Sequence, residues 1–150
     1  MDFLQNQILM YTSKKYENIY MHLNSEFDLP YYRLFIMCAA IGARNSHSIE
    51  IKEKGREFRS NYFDSDERNL AYSLILNDEI NGKDLDRFND KAFYAEARKL
   101  LESYAEGGME ILVKKVFKEK WDGIQLDKSH LNYPIDILTY VVATLKEVPF

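Results

Sequence analysis

Glu50-Ile51-Lys52 is the tightest chemical pattern in the chain. A carboxylate and a lysine two residues apart share one face of a strand. Beside a second acid they would resemble the Glu-x-Lys metal-dependent nucleases, where the metal stabilises phosphorane-like charge and the lysine orients or activates water. The acid available upstream is Asp28, separated from Glu50 by a long apolar run. A three-residue motif outside its structural setting is a weak signal, and alternating Glu and Lys also makes an ordinary solvated edge strand.

The other reactive residue types are scattered. Cys38 sits between Met37 and Ala39 in the most apolar stretch, where a thiol behaves as a small hydrophobe and not as a nucleophile. His22, His47 and His130 show none of the three- or four-residue spacings of a metal site, so no metal and no cofactor are expected. Gly107-Gly108 would suit an anion at a helix N-terminus, but Glu106 and Glu110 flank it, and a tight helix–helix turn accounts for it better. No nucleophile–base, metal or phosphate-loop constellation emerges, so the chain reads as a non-enzyme.

Basic residues give a candidate contact surface. Ala43 to Ser60 holds Arg44, Lys52, Lys54, Arg56 and Arg59 against Glu50, Glu53 and Glu57. With Asn45, Ser46, His47 and Ser48 these are good phosphate-contacting types, and Phe58, Tyr62 and Phe63 could stack on bases. We take Arg44, Asn45, Lys52, Lys54, Arg56 and Arg59 as the candidate nucleic-acid or partner contacts. Asp64 to Glu110 carries twelve acids and six bases, so the surface should divide into basic and acidic regions.

These residues must be positioned by a fold, and the chain is one domain's worth: 150 residues, 46% hydrophobic and 29% charged, enough for a true core. Its net charge of −4 argues against nucleic-acid binding by the whole surface. Eleven tyrosines favour a protein partner, since Tyr suits interfaces, and leave room for a homo-oligomer. One cysteine excludes an intrachain disulfide, and the first residues lack a basic-then-apolar leader, so a cytoplasmic location without a membrane span is expected.

The organising element is Leu29 to Gly42. Pro30 suits a first helical turn and Gly42 the residue past the end, while Leu34 to Ile41 is apolar without a break. A helix apolar all round and too short for a bilayer is a buried hub, with Leu34, Phe35, Met37, Cys38 and Ile41 most buried. Around it, periodicity predicts helices over Phe3–His22, from Asp64 to Asn81-Gly82, from about Asp84 to Glu106, from Met109 through the basic run to Lys120, and from Pro134 to Leu145. Asp28 is a candidate N-cap, Asp64 with Glu67 has the form of a capping box, and Ile49 to Phe63 has room for a small β-hairpin. The expectation is a single, mainly α domain spanning 1–150, of about six helices.

Three stretches carry a resemblance: Phe35 to Asn45, with Ala39-Ala40-Ile41-Gly42; Leu70 to Asp78; and Leu101 to Leu112, with Tyr104-Ala105-Glu106-Gly107-Gly108. In order and spacing they resemble the small accessory proteins encoded beside DNA phosphorothioation (Dnd-type) gene clusters. The likeness runs from about Leu29 to Phe117. It implies a bacterial antiphage defence setting and a DNA-linked partner complex, and it brings no catalytic residue with it.

Overall fold

The computed structural model describes residues 3–78 and 91–146. Its elements are β1 (Leu9–Ser13), α1 (Glu17–Phe27), α2 (Tyr31–Arg44), β2 (Lys54–Arg59), α3 (Ser65–Leu76), α4 (Lys91–Leu112) and α5 (Tyr133–Lys146). The protein is mainly α, with one small antiparallel pair, β1–β2. No helix among the described residues is long and apolar enough to cross a membrane.

α2 is the hub. Pro30 stands at its N-cap, and Leu34, Phe35, Cys38 and Ala39 are fully buried. Met37 is only half-buried, because it turns toward a surface groove beside α3 and α5. The helix runs past Gly42 to Arg44, so this glycine is not a terminator. It marks a helix crossing instead: α2 packs mainly on α4, and a Cβ on Gly42 would strike the carbonyl of Tyr104. Gly107 and Gly108 do the same from the other side, against the carbonyls of His47 and Cys38. Far from breaking the chain, they lie inside the 22-residue helix α4. Glycine costs about 1 kcal/mol in a helix interior, and here the cost is offset by close backbone approach.

The N-terminal segment departs from the periodicity. Instead of one helix there is a 3₁₀ turn at Phe3–Asn6, a left-handed Gln7 (φ 57°) and then β1. Tertiary pairing overrides local pattern: β1 pairs with β2 in the register Leu9↔Arg59, Met10↔Phe58 and Tyr11↔Glu57, with an irregularity between Tyr11 and Ser13. Only one strand of the small sheet therefore lies within Ile49–Phe63, and its partner comes from the chain's start. Asn24, Ser25 and Glu26, beyond the end of the helix expected over Phe3–His22, belong to α1, and Asp28 is the left-handed C-cap of α1 (φ 54°), not the N-cap of α2.

Asp64 and Glu67 form the reciprocal capping box, with both bonds made at 2.8–2.9 Å. α3 closes at Leu76; Asn81-Gly82, Leu85 and Phe88 lie outside the described residues. Ala71 and Ile75 are buried, whereas Leu70 is exposed. After α4 a π-helical turn, Val113–Phe117, leads into a loop closed by a bridge between Trp121 and Leu126. α5 then packs inward with Tyr133 and Ile137.

Candidate nucleic-acid interface

The six sequence-predicted contacts separate. Arg44, exposed at the end of α2, donates to the carbonyl of Thr144 in α5 and lines the groove between α2, α3 and α5. Asn45 folds back onto the Ile41 carbonyl as a helix cap (2.8 Å). Lys52 lines a cleft beneath β1, and Lys54 a neighbouring one against α4. Arg59 donates to Gln7 at 2.9 Å. Of the aromatic residues expected to stack on bases, Phe58 and Phe63 are core residues in edge-on contact with each other, so only Tyr62 is exposed.

β2 nevertheless presents its cations in an ordered way. Lys54 and Arg56 each lie over a tyrosine: Lys54 Nζ is 4.3 Å from the centre of the Tyr11 ring, and the Arg56 guanidinium 5.6 Å from that of Tyr31. Lys15 over Tyr16 and Arg33 over Tyr32 repeat the arrangement. Part of the tyrosine abundance thus holds surface cations in place through the ring quadrupole.

Arg56 opens onto the most nucleotide-like feature of the surface, a cleft of about 520 Å³ between α1, β2 and the loop before α5. Lys128 lines it too, and Tyr31 and Phe27 contribute rings, with Asn24, Ser25 and His22 among the polar groups. Tyr31 takes one guanidinium N–H of Arg56 at 3.3 Å, which leaves most of the five-donor fork for a ligand. The His22 ring is held edge-on to Phe27 and Tyr133, at 5.8 and 5.9 Å, and its buried Nε2 has no hydrogen-bond partner among the described residues. Among the described residues Glu26 is the one acid in the lining, against Arg56 and Lys128. Two cations, aromatic faces and amide groups in one cleft suit a phosphate with its attached base. Lys128 and His22 were not legible as partners of Arg56: they lie far apart in the chain and only the fold joins them.

The second chemically dense region runs along α4. Glu102, Glu106 and Glu110 recur every four residues and therefore form one face. Glu102 and Glu106 are buried, and Glu102 accepts the Tyr11 N–H at 2.8 Å. Burial raises the pKa of Glu102 against Tyr11, Arg98 and Lys54, which favour its charge. Burial also raises that of Glu106, opposed by the Ser13 hydroxyl and Lys15 and reinforced by Glu110. Burial, followed by the charges of Glu106 and Glu110, lifts Tyr16 to about 12. In Glu110 burial pushes upward, but hydrogen bonds from His47 (3.0 Å) and Lys114 (3.2 Å) outweigh it and hold the carboxyl below its usual range.

The Glu-x-Lys residues border this region. Glu50 is paired with Lys99 at 3.5 Å, neither Glu50 nor Lys52 lies in a strand, and Asp28 caps α1. No group of three or more His, Cys, Asp or Glu side chains that could hold a metal ion occurs among the described residues. Cys38 is fully buried, and burial, followed by Glu106, pushes its thiol far above the usual range. Compared with protein-family models, with characterised proteins and with solved structures, the chain gives no significant match.

Proposed function

We propose that this chain is a cytoplasmic, non-enzymatic accessory protein that acts by binding, and that the cleft containing Arg56 and Lys128 receives nucleic-acid phosphate. The convergence of those two cations with the Tyr31 and Phe27 rings in one cleft is the observation that carries the reading. In a protein of net charge −4, a cleft where cations outnumber acids is a local exception. Such an exception marks an anionic ligand more specifically than a basic surface would. The resemblance to accessory proteins of phosphorothioation gene clusters supplies the setting: an adaptor of a bacterial antiphage DNA-modification or restriction system, working with a protein partner.

Affinity purification from the native cell tests it. Nucleic acid and a defence-complex protein should accompany the wild-type chain, and nucleic acid should be lost from an Arg56→Ala, Lys128→Ala variant. A chain recovered with neither companion would contradict the proposal.

A further inference from the structure

α5 presents a second apolar face that the other described residues leave uncovered. Of its fourteen residues only Asp136 and Lys146 carry charge. Tyr133 and Ile137 fill the inner side, yet Ile135, Leu138, Val142 and Leu145 remain 63%, 62%, 43% and 54% exposed. Steps of three, four and three residues place these four on one stripe of the helix. A helix that is apolar on both sides has two surfaces to bury, and the described residues of one chain cover only one.

The spacing, charge and area of the stripe suit a second copy of the chain. We infer that α5 pairs antiparallel with α5 of a second copy of this chain, about a two-fold axis. The 3-4-3 spacing reads the same in both directions, as an isologous antiparallel contact requires. The axis sets Ile135 against Leu145 of the second copy, and Leu138 against its Val142. Each contact then occurs twice.

Polar chemistry fits a dry contact. No acid or base stands among Thr139, Val142 and Ala143, so two chains of net charge −4 meet here without like charges in register. The Thr139 hydroxyl is already committed to the Ile135 carbonyl at 2.7 Å and would not be stranded by burial. Antiparallel packing also opposes the two helix dipoles. The four side chains offer on the order of 400 Å² of apolar area per copy, about the apolar share of a standard interface of roughly 800 Å² per partner. This inference rests on none of the residues proposed to hold nucleic acid, since the cleft is lined from α1, β2 and the loop before α5 and not by the stripe itself.

Sedimentation equilibrium of the full chain, with circular dichroism to verify folding, provides the test. The wild type should sediment at twice 17.7 kDa, and Leu138→Glu and Val142→Lys should each sediment at 17.7 kDa while keeping native helicity. Because residue 138 faces residue 142 across the axis, an equal mixture of the two variants should restore the dimer. A wild type that stays at 17.7 kDa at every concentration overturns the inference, including the case in which the stripe instead holds an unrelated protein. A mixture that remains monomeric, or variants that remain dimeric, overturns the antiparallel pairing. Loss of nucleic-acid binding by Arg56→Ala would leave all these outcomes unchanged, so the two ideas fail separately.

Discussion

Gly108 of α4 passes over the carbonyl of Cys38 in α2 with no space between them for a methyl group. The hub of the protein is this crossing, and it uses glycine for proximity and not for a turn. Gly108→Ala removes about 1 kcal/mol of intrinsic helix cost yet forces two backbones apart, and overpacking of this kind costs about 1–3 kcal/mol or more. The clash should win. Urea denaturation should show a lower midpoint for Gly108→Ala, and an unchanged or higher midpoint would mean that α2 and α4 do not approach this closely.

Cys38 tests the same crossing chemically. Its thiol is buried and its pKa is pushed well up, so thiolate is scarce and reagents have no access. A thiol reagent should label the folded protein no faster than the chain unfolds. Rapid stoichiometric labelling under native conditions would contradict the burial of α2.

The buried carboxylates should leave a signature in pH dependence. Glu106 has a folded pKa raised above 4.5, so the folded state holds its proton longer than the unfolded state. Its contribution therefore favours folding at low pH and weakens as pH rises from about 4.5 through the folded pKa. Glu106→Gln removes that loss. The variant should gain thermal stability relative to wild type above this window and match it below. A variant less stable at neutral pH would show that the ionised carboxylate is stabilised by Ser13 and Lys15 more than burial disfavours it.

Local chemistry made much of this fold legible. The unbroken apolar run from Leu34 to Ile41 announced the buried hub, and Asp64 with Glu67 announced the start of α3, because a cap and a core stripe are written within a few residues. What was hidden depends on distance. Leu9–Ser13 is extended only because Lys54–Arg59 pairs with it, so its local spacing read as helix. Gly42, Gly107 and Gly108 looked like punctuation because their reason lies on the opposing helix. In the candidate interface, Arg56 was visible as part of a basic segment, whereas Lys128 and His22 join it only through folding.

The capping box offers a clean check on α3. Removing the Asp64 side chain leaves the Glu67 N–H without its acceptor, and loss of an N-cap costs about 1 kcal/mol. Asp64→Ala should lower stability by about that amount, and Asp64→Ser should recover most of it. Equal stability of Asp64→Ala and wild type, by chemical denaturation, would place the start of α3 elsewhere.

Binding of nucleic acid through Arg56 and Lys128 is the central claim, and fluorescence anisotropy of a labelled oligonucleotide titrated across salt concentrations tests it most directly. Single-stranded and duplex DNA should each be measured against wild type and the Arg56→Ala, Lys128→Ala variant. The account predicts salt-dependent binding by the wild type to at least one of them. It predicts weaker binding by the variant, with the slope of log K against log salt flattened by about one unit per lost phosphate contact. A wild type that binds neither, or a variant with unchanged affinity and slope, would contradict it.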